Sequence, residues 1–206
     1  MDMMTDLFAG RGDRDSWAYD PMRALEQQRP TPVFFAITPD PESALDAEQT
    51  GHRLRLENRL SGAPCRRDIL HVSVLGIGWR PDLREERVEA ARAAAATVAM
   101  PPFTVAFDRA ASFGGGANRP LVLCGGDGVA GILMLRRALI SELKNVGVDV
   151  KKTHYEPHMT LLYDHRPIMG QYITPVRWKV REFSLIHSLH GAATHVCLAH
   201  WTLRGR

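Results

Sequence analysis

The chain has 206 residues, 45% hydrophobic and 24% charged, enough to bury a real core as one domain or as one domain of two similar lobes. No stretch approaches the eighteen or more apolar residues of a membrane span. The opening Met1-Asp2-Met3-Met4-Thr5-Asp6 carries acid where a signal peptide carries base, so the expectation is a cytoplasmic protein with no membrane contact. The net charge is only +3, yet lysine stands at just four positions and arginine supplies the other cations. Arginine forks suit bidentate phosphate contacts, so a nucleic-acid partner is allowed but not required. Cys65, Cys124 and Cys197 are odd in number, far apart and free of any CxxC pair. They are expected to be small buried or half-buried hydrophobes, not a disulfide framework or a zinc site.

Residues 1–30 show no sustained periodicity and read as an N-terminal extension, partly disordered, ahead of a domain over 31–206. Val33-Phe34-Phe35-Ala36-Ile37 is a continuous apolar run between prolines, the pattern of a buried strand. Asp40-Pro41 starts a helix running toward Leu60, with Leu45, Leu56 and Leu60 among its apolar positions and Gly51 weakening its middle. A strand is expected over 69–77, an Ala-rich helix over 82–100, strands over 103–107 and 121–124, and a helix over 127–146 closed by Gly147. Strands over 154–162, 176–186 and 195–203 complete the chain. Hairpin-like strand pairs between helices predict a mixed α+β domain.

The chemistry sits in an approximate internal repeat. A helix leads to Ile69-Leu70-His71-Val72-Ser73-Val74-Leu75, and another leads to Glu156-Pro157-His158-Met159-Thr160-Leu161-Leu162. Strand side chains alternate between faces, so His71 and Ser73 share one side, as do His158 and Thr160, while the residues between them face the other. Two facing lobes would thus bring together two imidazoles and two hydroxyls. Imidazole titrates near neutrality, so one histidine can take a proton from the nucleophile while the other gives one to the leaving oxygen. The hydroxyls of Ser73 and Thr160 can donate to the non-bridging oxygens as charge builds. A single His-x-Ser on a strand would carry no such weight; two copies in matching contexts do.

At these residues the chain resembles the 2H phosphoesterase superfamily, specifically the bacterial and archaeal RNA 2′,3′-cyclic phosphodiesterases, also called the 2′-5′ RNA ligase family. Val33 to Pro39 is similar to that family's opening strand and turn, Pro157-His158-Met159-Thr160-Leu161 to its second motif, and Phe183 to Ser188 to its closing strand. The resemblance covers about 31–204. It implies a bilobal fold in which two antiparallel sheets flank a central cleft, with helices outside. It also implies hydrolysis of a 2′,3′-cyclic phosphate on an RNA end or nucleotide to a 2′-phosphomonoester, with no metal and no cofactor. His158 would be the general base for water, His71 the acid to the leaving 3′ oxygen, and Ser73 and Thr160 the phosphate holders. Against the family's pattern, Ser73 replaces a common threonine, Cys124 a tryptophan and His195 a tyrosine.

Arg66 and Arg67, and Lys151 and Lys152, lie just upstream of the motif strands and are candidates for flanking phosphates, weighed against solvated charged strand ends. His154 would share a face with His158 in a regular strand and is a further candidate for substrate contact. His187, His190, His195 and His200 look like a metal cluster on paper, but they straddle two strands and a turn without ligand spacing. The glycine runs at 114–116 and 125–128 read as turns. Two other functions remain open: a phosphodiesterase for a small non-RNA cyclic phosphate, and an RNA-binding module with little turnover. No obligate protein partner is implied.

Overall fold

The structure, a computed structural model, describes residues 30–150, 154–189 and 194–205. The extension ahead of Pro30 lies outside the described residues, as do Lys151, Lys152 and His190. In chain order the elements are β1 (Thr31–Ile37), α1 (Pro41–Glu57), β2 (Val72–Arg80), α2 (Glu85–Ala96), β3 (Phe103–Ser112), β4 (Arg119–Cys124), α3 (Ala130–Asn145), β5 (His158–Asp164), β6 (Gln171–Val180), β7 (Glu182–Leu189) and β8 (Thr194–Thr202). Short 3₁₀ turns at Arg67–Ile69 and Asp127–Val129 precede β2 and α3.

The strands form one antiparallel sheet in the order β6-β3-β4-β5-β2-β1-β7-β8. It is built as two four-stranded halves, β6-β3-β4-β5 and β2-β1-β7-β8, joined where Val72 pairs with Met159. This is the expected bilobal α+β arrangement. One face of the sheet is apolar: Val33, Phe35, Ile37, Val72, Val74, Met159 and Leu161 share a single core with residues from all three helices. In α3, Ile132, Leu135, Leu139 and Leu143 recur at helical spacing and are fully buried, each worth about 1.5–3 kcal/mol.

The helices differ in detail from the sequence expectation. Asp40 caps α1 by accepting from the Ser43 N–H at 2.8 Å, with Pro41 in the first turn. Its buried face is not Leu45 and Leu56, which are exposed, but Ala44, Ala47, Gly51 and Leu54. Small residues win because α1 crosses β5 closely: a Cβ on Gly51 would lie 3.5 Å from the Leu161 Cβ. The Ala stripe of α2 is likewise buried at Ala91, Ala94 and Ala95, mostly against α3.

Strand boundaries shift: the strand expected over 69–77 is Val72–Arg80, that over 103–107 is Phe103–Ser112, and two further strands change more. The run read as one strand over 176–186 is β6 and β7, broken at Arg181. Val176, Trp178 and Val180 face inward, then Phe183 and Leu185, so the alternation slips phase where the chain crosses from one half of the sheet to the other. The strand expected from His154 begins only at His158, so His154 shares no strand face with it and is exposed. Of the cysteines, Cys124 is buried and Cys65 half-buried, but Cys197 is exposed on β8, contrary to expectation; all three are free thiols.

Candidate active site

The two motif strands lie side by side at the junction of the halves. Each has a bulge directly after its hydroxyl residue: β2 slips register at Val74 against β1, and β5 at Leu161 against β4. A bulge sharpens local twist and re-aims side chains. His71, Ser73, His158 and Thr160 are all half-buried, and together they line a cleft of about 510 Å³ with Cys65, Ile69, Tyr163, Ser188, Leu189 and His195. Concavities of about 450 Å³ between α1 and β6 and about 590 Å³ beside Trp79 are lined by no histidine.

Both histidines are held in the same way. The His71 Nδ1 lies 2.9 Å from the Ile69 carbonyl, and the His158 Nδ1 lies 2.7 Å from the Glu156 carbonyl. A carbonyl only accepts, so each Nδ1 carries the proton and Nε2 is the nitrogen left for a substrate. The Ser73 hydroxyl, 3.2 Å from the His71 Nε2, donates to it when the ring is neutral. Burial pushes the His71 imidazole down to about 4, helped by the nearby His195 and His158. Burial pushes the Tyr163 phenol up, and a hydrogen bond with Thr160 pulls it partly back.

Further contacts tie the two motifs together. Among the described residues Val72 and Met159 are the one Cα pair between β2 and β5, and side chains reach the β2 carbonyls that follow. The Tyr155 hydroxyl donates to the Ser73 carbonyl at 2.8 Å, and Arg136 donates to the Val74 carbonyl at 2.6 Å while stacking over the Tyr155 ring at 4.3 Å. Further along β5, the Cys65 N–H donates to the Leu161 carbonyl at 2.7 Å. The buried Asp164 carboxylate accepts from the N–H groups of Ser61 and Gly62 at 2.6 and 2.7 Å. The run into His71 is therefore pinned along the second motif strand.

Among the other candidates, Arg66 makes a bidentate pair with Asp68 and Arg67 an ion pair with Glu48, and neither lines the cleft. His154 does not line it either. Lys151 and Lys152 lie outside the described residues. His187 is bonded to the Thr31 hydroxyl at 2.7 Å. Among the described residues, no three His, Cys, Asp or Glu side chains are grouped to hold a metal ion.

Sequence reasoning missed Phe34, Phe113, Tyr155 and Arg136 as parts of the site, and it noted His195 only as standing where the family has a tyrosine. Phe34 was hidden in an apolar run, although its strand position puts it with Ala36 on the face opposite Phe35. It stacks on His71 at 5.2 Å between ring centroids, and Phe113 meets His158 at 5.2 Å.

Comparison with known proteins now bears on this geometry. The family model of the 2′-5′ RNA ligase superfamily matches residues 41–192, more than half of the chain and both histidine motifs. The chain belongs to the 2′-5′ RNA ligase superfamily. That places it among the 2H phosphoesterases, enzymes that act on phosphodiesters. Solved structures share the fold. E. coli LigT complexed with 3′-AMP is 23% identical with a TM-score of 0.66, the match covering 84% of this chain and 98% of that one. TT0787 of Thermus thermophilus is 19% identical with a TM-score of 0.68, covering 85% and 99%. E. coli LigT complexed with NADP+ is 24% identical with a TM-score of 0.65, covering 84% and 98%. A search of curated proteins returned no match. Among the described residues, no helix is long and apolar enough to cross a membrane.

Proposed function

We propose that this 2H phosphoesterase hydrolyses a 2′,3′-cyclic phosphodiester, on an RNA end or a nucleotide, to a 2′-phosphomonoester. The observation that carries the reading is the matched pair of histidines, each with its Nδ1 proton held by the carbonyl two residues upstream and its Nε2 as the proton-accepting nitrogen, beside Ser73 and Thr160 in one cleft. Water attacks phosphorus, the bond from phosphorus to the 3′ oxygen breaks, one histidine takes the water proton and the other protonates the leaving oxygen. Each proton transfer contributes roughly 10²–10⁴ in rate. The Ser73 and Thr160 hydroxyls donate to the non-bridging oxygens as negative charge accumulates. Resemblance to the family and the E. coli LigT complexes with nucleotides support this substrate class.

By that resemblance His158 is the base and His71 the acid. His71 is held neutral in the free protein, so in this assignment it takes up its proton together with the anionic phosphate, whose charge offsets the burial. One observation favours the reverse assignment: a buried neutral imidazole is already an acceptor, and if it stays neutral in the complex, His71 is the base. Turnover of nucleoside 2′,3′-cyclic phosphates, of short RNAs ending in one, and of a non-nucleotide cyclic phosphate tests the reading. Faster turnover on the RNA end or the nucleotide supports it. Preference for the non-nucleotide, or tight RNA binding without hydrolysis, overturns it.

A further inference from the structure

The two motifs are near copies, but their surroundings are not. Among the described residues, His158 meets one aromatic ring, Phe113, at 62° between planes. His71 is stacked on Phe34 at 30°, and a second ring, that of His195, stands edge-on to it at 83° with the centroids 4.6 Å apart. His195 is also edge-on to Phe34, at 6.2 Å and 87°. The three rings form a closed triangle. Phe34 is the buried corner of it, and His71 and His195 line the cleft. His195 arrives from the start of β8, where it pairs with Ser188 of β7, another residue of the cleft wall.

We propose that His195 is a positioning residue of the reaction: set edge-on to His71 and braced by Phe34, it fixes the His71 ring and walls it from water, so that two near-identical motifs receive different proton-handling tasks. The inference rests on the reading above, in which His71 and His158 form the acid–base pair.

The hydrogen bond from Nδ1 to Ile69 fixes one edge of the His71 imidazole but leaves the ring free to rock about that bond. Rings packed on it from two directions remove that freedom, and misplacement of a reacting group is costly in rate. The same contacts exclude water from His71, and burial is the largest cause of its lowered pKa. Among the described residues, the titratable groups that share the cleft with it are His195 on β8, His158 and Tyr163 on β5, and Cys65 on the segment before β2, while Asp68 acts on His195. His195 is itself pushed down by burial and lifted by Asp68, whose carboxylate is already paired with Arg66. His195 therefore acts chiefly as a wall of the right shape, and an aromatic replacement should serve.

The test follows the imidazole signals of the full chain by NMR across pH in the native protein, His195→Ala and His195→Phe, with kcat and KM on a nucleoside 2′,3′-cyclic phosphate measured alongside. In His195→Ala the His71 midpoint should rise by at least one pH unit toward the ordinary imidazole value, and kcat should fall on the order of 10- to 100-fold with KM changed far less. His195→Phe should restore both. An unchanged His71 midpoint in a folded His195→Ala overturns the proposal. If His195→Ala does not fold, His195→Ser replaces it under the same criteria. The NMR arm needs no turnover: a moved midpoint with no hydrolysis by the native protein would uphold the ring contact and overturn the cyclic phosphodiesterase reading instead.

Discussion

Val72 and Met159 are Cα partners at the place where the two halves of the sheet meet. Each is the central residue of its motif, so the pair that joins the lobes also sets His71 and Ser73 beside His158 and Thr160. Both apolar side chains are fully buried. The sheet junction and the reaction centre are thus the same few residues, and the core side of the junction holds the cleft side in register.

Replacing either histidine should disable the chemistry and leave the fold. His71→Ala and His158→Ala should each lower kcat on the order of 10²–10⁴-fold with unchanged circular dichroism, and EDTA should change neither the native rate nor the residual ones. A single variant that keeps near-native turnover contradicts the two-histidine account.

Proton uptake should accompany anion binding. With its pKa lowered from 6.5 to about 4, His71 is neutral in the free protein at pH 6, and a tetrahedral anion in the cleft favours its charged form. Sulfate, which does not titrate there, should therefore bind with net proton uptake, read by calorimetry in buffers of different ionisation enthalpy, and the uptake should be smaller in His71→Ala than in the native protein. A smaller uptake in His71→Ala supports His71 as the acid; equal uptake by the two proteins supports His71 as the base. The same depression has a sign for stability. Between pH 6.5 and 4 the unfolded chain binds a proton that the folded one refuses, so His71 contributes a loss of stability as pH falls through that window.

Tyr155→Phe should weaken the junction. It leaves the Ser73 carbonyl without its 2.8 Å donor and should cost about 1–3 kcal/mol in denaturant unfolding. Because that carbonyl belongs to a site residue, kcat should also fall, by less than in the histidine variants.

Gly62→Ala should disturb the approach to the first motif. A Cβ there would collide with the Tyr163 carbonyl oxygen, a backbone atom that cannot swing aside. The expected loss is about 1–3 kcal/mol by overpacking, seen as a lowered unfolding midpoint. The Asp164 carboxylate that receives the Ser61 and Gly62 N–H groups is held well below the usual carboxylate range by the Arg166 N–H and by those bonds. Its stabilisation is therefore present at neutral pH and lost in acid as the carboxylate protonates.

What was legible in the sequence was local. The motif residues could be read because strand alternation puts His71 with Ser73 and His158 with Thr160, and the Asp40 cap and Pro41 because capping needs only four neighbouring residues. What was not legible depends on partners far along the chain. Nothing near Gly51 says that α1 must approach Leu161, which is why small residues displaced Leu45 and Leu56 from the buried face. Arg181 looked like one residue of a long strand until the inward positions on its two sides proved out of phase. His195, Phe34 and Tyr155 enter the site through contacts between distant segments, and the basic pair Arg66 and Arg67, prominent in the sequence, is engaged by Asp68 and Glu48.

The most direct test is hydrolysis of a nucleoside 2′,3′-cyclic phosphate in ¹⁸O-labelled water with EDTA present, with the products resolved by position and mass. The account predicts a 2′-phosphomonoester carrying one ¹⁸O on phosphorus, formed by the native protein and far more slowly by His71→Ala and His158→Ala. A 3′-phosphomonoester, or no turnover by the native protein, would contradict it.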